Sequence, residues 1–299
     1  MELIKPSFEI WKQEYKSPIE DMYNHIAQCT RVCYQSEKKD NNETEEEFVK
    51  RILLRHEPAN SEANHLAMLE HGTIYLTLNE PSYINNFYTH NKYSRVVLDY
   101  ANNLCHVTTN FRVIIENNRL SDLQYVVPPT KYHARRITIS FITNIGVTRE
   151  FNRHRVNSIA EESTRYCNYN KRNNGEIKYV VPAWWSAPVG IVSEINVYDD
   201  TAKIGNTVYN CSKREIAYLH ALQSSEFAYN QLILCGWKPQ QAREVLPLAT
   251  KTQLIHTAFV DDWKHFFKLR AEGISGPPHP NAEAIASPLY CKFKENNLL

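Results

Sequence analysis

Glycine is scarce in this sequence, and its scarcity excludes two common nucleotide-binding folds. Only 8 of the 299 residues are glycine, against a usual share of about 7%. None of them falls in a G-x-G-x-x-G or a G-x-x-x-x-G-K-[ST] pattern. Both patterns need glycine because the backbone must approach a phosphate closely. The sequence therefore predicts neither a Rossmann dinucleotide fold nor a P-loop, and the missing G-x-S-x-G argues against an α/β-hydrolase nucleophile.

Paired cysteines, long apolar runs and an excess of one charge are missing as well. The 7 cysteines are scattered and form no C-x-x-C, which favours free thiols in a reducing compartment. No apolar run approaches the 18 residues that indicate a membrane helix, and Met1–Lys16 lacks the apolar stretch of a secretory signal. We therefore expect a cytoplasmic protein. Because 34 basic residues face 33 acidic ones, a protein that coats nucleic acid is not expected.

The sequence does contain both helical and strand periodicities. Alternating apolar residues predict strands over Thr73–Leu78, Arg136–Thr143 and about 250–260. Apolar stripes and capping signals predict helices over Met22–Cys33, 149–156 with Thr148 as N-cap, 213–235, from Pro239 to before Pro247, 261–272 and from 280 onwards. We expect an α+β fold, a compact mixed sheet with flanking helices, in one catalytic domain over residues 1–299.

Several intermediate segments have weaker signals. Residues 37–49 are charged and are interpreted as a solvated loop or a helix start. The Asn- and Tyr-rich segment 79–131 is interpreted as a helical insertion at the rim of the active site or at a subunit interface. The remaining predictions are helices over 50–58 and 62–71, helical pieces around 94–104 and 108–118, a helical turn over Ala160–Tyr166 and a hairpin turn at Asn174-Gly175.

Residues 152–166 combine basic, acidic and histidine side chains at close spacing. Three arginines, one histidine and two glutamates occur in these fifteen residues. The consecutive Arg153, His154 and Arg155 would point to different sides of a helix, and burying all of them unpaired would be costly. Donors at a helix end suit a planar or phosphorylated anion, and Ser163 with Arg165 could reach one phosphate. The alternative interpretation is a solvated basic helix end with glutamates as ion-pair partners.

The order of these residues resembles a known family. Arg153-His154-Arg155, followed after seven residues by Ser163, resembles the R-H-R-x7-S signature of the flavin-dependent thymidylate synthases. Four further segments resemble motifs of that family in the same order: R-x-C-Y-x-S at Arg31–Ser36, [FL]-E-H at Leu69–His71, A-R-x-x-L-P at Ala242–Pro247 and F-x-x-L-R at Phe266–Arg270. The resemblance covers most of the chain outside residues 79–131 and 183–212.

The resemblance implies a specific activity. Enzymes of that family convert dUMP to dTMP with a methylene group from methylenetetrahydrofolate and reducing equivalents from NADPH, which pass through bound FAD. They are homotetramers that share each flavin site between subunits, and their compact fold has no Rossmann motif. The resemblance implies no metal, no membrane and no nucleic-acid partner.

The resemblance also implies roles for individual residues. The positions implied to contact the flavin or folate cofactors are His71, Thr73, Arg153, His154, Arg155, Glu161 and His265. The positions implied to bind dUMP are Glu150, Arg153, Glu161, Glu162, Ser163, Thr164, Arg165, Arg243 and Arg270. Arg270 is the implied catalytic residue, because a fixed guanidinium can stabilise the anionic, N3-deprotonated pyrimidine. A helix C-terminal arginine that only interacts with the helix dipole is the simpler alternative.

Three positions depart from the family pattern. Glu150 stands where the family often has Gln, Ala160 stands where it usually has Asn, and Thr257–Asp261 replaces a T-x-N-x-R segment. The departures bear on the adenine and ribose side of FAD binding more than on the pyrimidine.

Two other functions and a metal site are the alternatives to this activity. One is a folate-dependent pyrimidine nucleotide hydroxymethyltransferase, whose last step would use water in place of hydride. Another is a single-stranded nucleic-acid-binding protein that uses 149–165 and Lys171-Arg172 with stacking tyrosines. A zinc site among the 12 His and 7 Cys has no supporting spacing.

Overall fold

The computed structural model describes residues 1–36, 42–79, 83–169, 171 and 175–299, with the backbone alone for residues 83–85. Within these ranges strands and helices are mixed along the chain, so the expected α+β class is confirmed. The strands are β1 (Glu2–Ile4), β2 (Ser7–Trp11), β3 (Thr73–Asn79), β4 (Arg95–Asp99), β5 (Leu104–Asn110), β6 (Arg136–Asn144), β7 (Ser158–Glu161), β8 (Lys178–Val180), β9 (Gly190–Asn196), β10 (Thr201–Ile204), β11 (Thr207–Asn210) and β12 (Lys251–Phe259). The helices are α1 (Pro18–Tyr34), α2 (Glu45–Leu53), α3 (Tyr83–His90), α4 (Phe111–Glu116), α5 (Ile145–Phe151), α6 (Lys213–Leu234), α7 (Pro239–Ala242), α8 (Val260–Arg270) and α9 (Pro280–Glu295).

An antiparallel sheet of order β2-β6-β12-β7 carries the elements that lead into the predicted site. Leu254 and Ile255 are consecutive in β12 and therefore point to opposite faces of this sheet. Leu254 packs with α5, α8 and α9 around the fully buried Trp263 and Phe141, whereas Ile255 packs with α1. The sheet is thus covered on both faces, and α8 and α5 share one of them.

Two further sheets, of three and five strands, complete the described fold. The order β3-β5-β4 forms an antiparallel sheet that packs with α1 and α2 around buried residues such as Met22, Val49 and Leu69. The order β11-β10-β9-β1-β8 forms the other sheet, in which β1 and β8 pair in parallel. This sheet packs against α6 through Leu219 and Tyr229.

Most of the long elements were predicted correctly. The structure confirms strands β3, β6 and β12, helices α1, α6, α8 and α9, and the short helix that begins at Pro239. The prediction that only one face of β3 is buried is wrong, because the consecutive residues Ile74, Tyr75 and Leu76 are all buried. The reason is that β3 contacts α1 and residues 120–125, and its Leu76 also pairs with Val126 at the strand edge.

The predicted helix over 94–104 is wrong, because this segment forms β4 and the start of β5. Val96 and Val97 are β-branched and favour a strand. Asn103 turns the chain with a φ of +54°, and Asp99 accepts hydrogen bonds from Asn102. The segment 79–131 is therefore mixed and not helical, although α4 confirms the helical piece predicted around 108–118.

Two predicted helices near the charged group have other boundaries. The helix expected over 149–156 begins at Ile145, because Asn144 and not Thr148 is the N-cap and accepts a hydrogen bond from Val147 N at 2.9 Å. The helical turn expected over Ala160–Tyr166 is wrong at its start, because Ala160 lies in β7 and pairs with Ile255.

The remaining local predictions are partly met. The helix expected over 50–58 runs from Glu45 to Leu53, and the one expected over 62–71 is a 3₁₀ helix over Leu66–His71. The residues 37–41 and Asn174 lie outside the described residues, so the hairpin turn at Asn174-Gly175 stays a prediction. The single domain with an insertion over 79–131 also stays a prediction.

Candidate active site

The turn that follows α5 holds the Arg-His-Arg sequence. Because α5 ends at Phe151, Arg153, His154 and Arg155 lie just after its C-terminus and not along a helix. Arg153 and Arg155 are exposed and form no ion pair with any described residue, whereas His154 is buried. The turn thus presents two cations to solvent and directs the imidazole inwards.

Arg270, the last residue of α8, is held by two residues of this region. Its Nη1 donates to Glu150 Oε2 at 2.6 Å, its Nη2 to the Glu150 carbonyl at 2.7 Å and its Nε to His154 Nε2 at 3.2 Å. Burial and then the charge of Arg270 lower the pKa of His154 to about 4. His154 is therefore neutral at pH 7, with its proton on Nδ1, because Nε2 must accept from arginine. The three contacts fix the guanidinium in one plane.

His265 and Glu161 flank this group. His265 is exposed on α8, and its ring centroid lies 5.9 Å from that of His154. Glu161 ends β7 and accepts hydrogen bonds from Asn152 Nδ2 at 3.2 Å and Thr252 Oγ1 at 3.3 Å. Burial raises the pKa of Glu161, while these hydrogen bonds lower it.

Glu162 is bound within the protein. Its Oε2 forms a 2.6 Å ion pair with Lys251, and both side chains are largely buried. Removing one partner of such a pair leaves an uncompensated charge, which is strongly destabilising. The structure thus gives Glu162 a structural partner and not an open position.

Ser163, Thr164, Arg165 and Arg243 form a second group. Thr164 Oγ1 accepts from Arg243 Nη1 at 3.2 Å, and Ser163 Oγ accepts from the backbone N–H of Arg165 at 3.3 Å. The Arg165 side chain is exposed. Ser163 N also donates to the Cys33 carbonyl, so the end of α1 holds this loop. The segment Ser163–Arg165 and the neighbouring Arg243 therefore carry two hydroxyls and two guanidiniums.

His71 and Thr73 lie in the interior. His71 is fully buried, and its Nδ1 hydrogen-bonds Thr257 Oγ1 at 2.8 Å. Its Nε2 has no hydrogen-bond partner among the described residues. Thr73 Oγ1 accepts from Arg136 Nη1 at 3.2 Å. The structure therefore does not bring these two residues to the same surface as Arg153 and Arg155.

Sequence reasoning missed the polar residues that connect these positions. Arg136 begins β6 and also donates to the Glu70 carbonyl and to Ser158 Oγ, both at 3.0 Å. Thr138 hydrogen-bonds Thr257 at 2.7 Å, which extends the buried network. The available signal was the polar residues that alternate with Ile137, Ile139 and Phe141 in β6, since buried polar groups need partners.

Two cavities adjoin the predicted residues. One, of about 700 Å³, is lined by residues that include Cys33, Tyr34 and Arg112, and it lies beside the loop of Ser163. The other, of about 730 Å³, is lined by residues that include Glu150, Trp184 and Trp185. Both volumes are within the range of small-molecule sites.

The described ranges contain neither a cluster of metal ligands nor a helix suited to span a membrane. No group of three or more His, Cys, Asp or Glu residues there could hold a metal ion. No helix in the described part of the chain is long and apolar enough to cross a membrane.

Comparison with known proteins identifies the family. The family model described as thymidylate synthase complementing protein matches residues 133–294, which is more than half of the chain. No curated protein sequence matches. Among solved structures, the chain is similar to a UMP/dUMP methylase, PolB from Streptomyces cacaoi, bound with 5-Br dUMP. The identity is 16%, the TM-score is 0.42, and 98% of this chain and 93% of that chain are covered.

The same enzyme bound with 5-Br UMP is similar at 15% identity and a TM-score of 0.43, over 99% of this chain and 92% of that chain. The family match spans β6 to α9 and therefore includes the Arg-His-Arg turn, the Ser163 loop and Arg270. It supports a nucleotide methyltransferase. The chain belongs to the thymidylate synthase complementing protein family, the flavin-dependent family that its sequence motifs resemble.

Proposed function

We propose that this protein converts dUMP to dTMP, with methylenetetrahydrofolate as methylene donor and NADPH reducing a bound FAD. The observation that carries the proposal is the fixed guanidinium of Arg270, which Glu150 and His154 hold through three hydrogen bonds. These contacts bring together three residues with implied roles that lie up to 120 residues apart in the chain. The proposal includes a homotetramer in the cytoplasm.

Arg270 retains donors for a substrate. A guanidinium has five N–H groups, and the three contacts to Glu150 and His154 use one on each nitrogen. One N–H on Nη1 and one on Nη2 are left for the oxygen atoms of a pyrimidine. Negative charge that develops on the ring would meet a cation whose orientation is already set, so little reorganisation is needed.

The side chains around the turn after α5 fit a flavin dinucleotide. Arg153 and Arg155 are exposed cations without ion-pair partners among the described residues, and they can pair with the diphosphate. His154 lies beneath them and is neutral, so it adds no repulsion towards Arg270. When bound, the flavin would supply the hydride that completes the methyl group.

The second group fits the nucleotide phosphate. Arg165 and Arg243 provide two guanidiniums, which can bind a phosphate bidentately, and Ser163 provides a hydroxyl that can donate one further hydrogen bond. Thr164 holds the Arg243 guanidinium by a hydrogen bond. Glu161, with hydrogen bonds from Asn152 and Thr252, can accept from a ribose hydroxyl.

The visible absorption spectrum of the gel-filtered protein after addition of FAD tests the proposal. We expect retained flavin whose reduction by NADPH is faster in the presence of dUMP. Arg153→Ala should lower flavin retention about tenfold, and Arg149→Ala, an exposed arginine one turn earlier on α5, should not. No retained flavin and no effect of dUMP would contradict the proposal.

The mass of the nucleotide product distinguishes the related reaction. After incubation with dUMP, methylenetetrahydrofolate and NADPH, we expect the mass gain of a methyl group. A mass gain of a hydroxymethyl group would instead identify the reaction as that of a hydroxymethyltransferase. Binding of single-stranded DNA with a steep salt dependence and without flavin would favour a nucleic-acid-binding protein.

Glu150→Gln is expected to improve nucleotide binding. The carboxylate repels the phosphate and offsets part of the charge of Arg270, whereas an amide keeps a hydrogen-bond acceptor for Nη1. We expect the Kd for dUMP to fall about two- to fivefold, because partly exposed charges interact by ~1 kcal/mol or less. Isothermal titration calorimetry measures this. Glu283→Gln, an exposed carboxylate on α9, is the control, and a weaker Kd in Glu150→Gln would contradict the prediction.

A further inference from the structure

Glu150 places a free carboxylate oxygen beside the guanidinium of Arg270. Its Oε2 accepts from Arg270 Nη1 at 2.6 Å, and its backbone carbonyl accepts from Nη2 at 2.7 Å. No described residue hydrogen-bonds the other carboxylate oxygen, Oε1. The Glu150 side chain is 37% exposed and lines the cavity of about 730 Å³. A ligand that binds to Arg270 therefore also meets Oε1.

The two side chains together present donors and an acceptor in a fixed order. One N–H on Nη2 and one on Nη1 of Arg270 are left for a ligand, because Glu150 and His154 use the other three. The free Oε1 lies on the Nη1 side, because the second oxygen of the same carboxylate is bonded to Nη1. The order is thus donor, donor, acceptor. Since His154 also holds the guanidinium through Nε, this order is set before a ligand arrives.

The pyrimidine whose edge complements this order is cytosine. Cytosine presents O2 and N3 as neighbouring acceptors, followed by the amino group at C4 as a donor. Two guanidinium N–H groups bind a pair of neighbouring acceptors bidentately, and a carboxylate accepts from the cytosine amino group. Arg270 and Glu150 can therefore satisfy all three positions of a cytosine edge without a change in its protonation.

Uracil matches the same groups less well. It presents O2, N3–H and O4, so its N3–H would face an N–H donor of Arg270 and its O4 would face the Glu150 carboxylate. Loss of the N3 proton removes the first conflict but leaves the second. A glutamine at this position could turn its amide N–H towards O4, which a carboxylate cannot do. The carboxylate of Glu150 therefore favours an amino group at C4 over a carbonyl.

We propose that the pyrimidine site binds dCMP in preference to dUMP, an inference that rests on the proposed function because it concerns the same site. Glu150 is the residue that determines this preference, through a hydrogen bond from the amino group at C4 to its Oε1. The sugar and the phosphate are identical in the two nucleotides, so the difference in affinity arises at the base. A cytosine nucleotide is therefore a ligand of this enzyme that competes with dUMP.

Isothermal titration calorimetry of the FAD-loaded enzyme with three nucleotides tests the preference. The ligands are dCMP, dUMP and the deoxynucleoside monophosphate of 2-pyrimidinone, which keeps O2 and N3 but has no group at C4. We expect the Kd for dCMP to be about tenfold lower than the Kd for dUMP, the usual size of discrimination between bases by one good contact. The 2-pyrimidinone nucleotide should also bind more weakly than dCMP, because it lacks the amino group that Glu150 accepts from.

Glu150→Gln assigns the preference to the carboxylate. In this variant the Kd for dCMP should rise a few-fold, because a neutral acceptor replaces a charged one, while the Kd for dUMP falls as expected above. The ratio of the dUMP to the dCMP Kd should therefore fall at least about fourfold. Glu283→Gln, on the exposed surface of α9, should leave the ratio unchanged. A general defect in folding would change both Kd values in the same direction, so the ratio separates recognition from stability.

The results separate the base preference from the reaction. If the wild-type enzyme makes dTMP but binds dCMP no more tightly than dUMP, or if Glu150→Gln leaves the ratio unchanged, the preference for cytosine is wrong and the proposed function stands. If dCMP binds more tightly in a manner that depends on Glu150 but no dTMP forms from dUMP, the preference stands and the proposed reaction is wrong. If the wild type binds neither nucleotide, both are wrong.

Discussion

Arg270→Ala is expected to lower kcat for dTMP formation by at least two to three orders of magnitude. That is the usual loss when one preorganised donor to a developing anion is removed. The side chain ends α8 and is held by Glu150 and His154, so its place in the site is set before any substrate arrives. Because only 14% of the side chain is exposed, water cannot readily replace the charge. Product formation is measured by chromatography of dTMP under saturating dUMP.

Two further variants make this prediction specific. Lys268→Ala removes an exposed cation from the same helix and should leave kcat within about twofold of the wild type. Arg270→Lys should restore little activity, because an ammonium cannot make the planar contacts to Glu150 and His154 together. Flavin retention should be largely unchanged in Arg270→Ala. Near-normal turnover in that variant would remove Arg270 from the mechanism.

Acidification is expected to destabilise the fold at pH values well above those at which the Asp and Glu side chains take up protons. His25 and His256 are buried, and burial lowers their pKa values to about 4 and about 3. Burial also lowers the pKa of His71. In the unfolded chain these histidines titrate near 6.5. Between pH 6.5 and the folded pKa values the unfolded state therefore binds more protons, so the free energy of unfolding falls as pH falls.

The expected size of this effect is large for a single domain. From pH 7 to pH 5, His25 and His256 each contribute a loss of about 2 kcal/mol, and His71 adds to it in the same direction. The total is a large part of a typical stability of about 5–15 kcal/mol. Urea unfolding followed by circular dichroism at both pH values measures the loss.

A matched pair of variants assigns the loss to buried histidine. His256→Gln removes one titrating group from the interior and should reduce the difference between pH 7 and pH 5 by about 2 kcal/mol. His220→Gln changes an exposed histidine on α6 and should leave that difference unchanged. The comparison uses the pH difference and not the absolute stability, so a general destabilisation by the substitution does not affect it. An equal pH difference in both variants would contradict the prediction.

The sequence alone determined the elements whose signals are local. The apolar stripe of α6 and the proline that begins α7 both lie within a few residues of what they specify. The alternation in β6 and β12 is equally local. The Arg-His-Arg motif identified the family for the same reason, because its spacing can be read without knowing which residues meet.

Local signals failed where two of them competed. Asn144 and Thr148 are both good N-caps, and only the hydrogen bond to Val147 N shows which one begins α5. Val96 and Val97 favour a strand, but β4 depends on pairing with β5, which itself pairs with β3. Ala160 joins a strand because the edge of β12 is available to it.

Only the tertiary structure decided the arrangement of the site. Glu150 and Arg270 are 120 residues apart, and their contact exists because α5 and α8 pack on the same face of one sheet. His71 belongs to a motif yet is buried among Thr257 and its neighbours, which no local pattern indicates. The sequence by itself determined which helices and strands form and which family the motifs resemble. The packing of those elements decided which side chains meet and which of them stay exposed, because hydrophobic burial of whole elements and not residue spacing sets those distances.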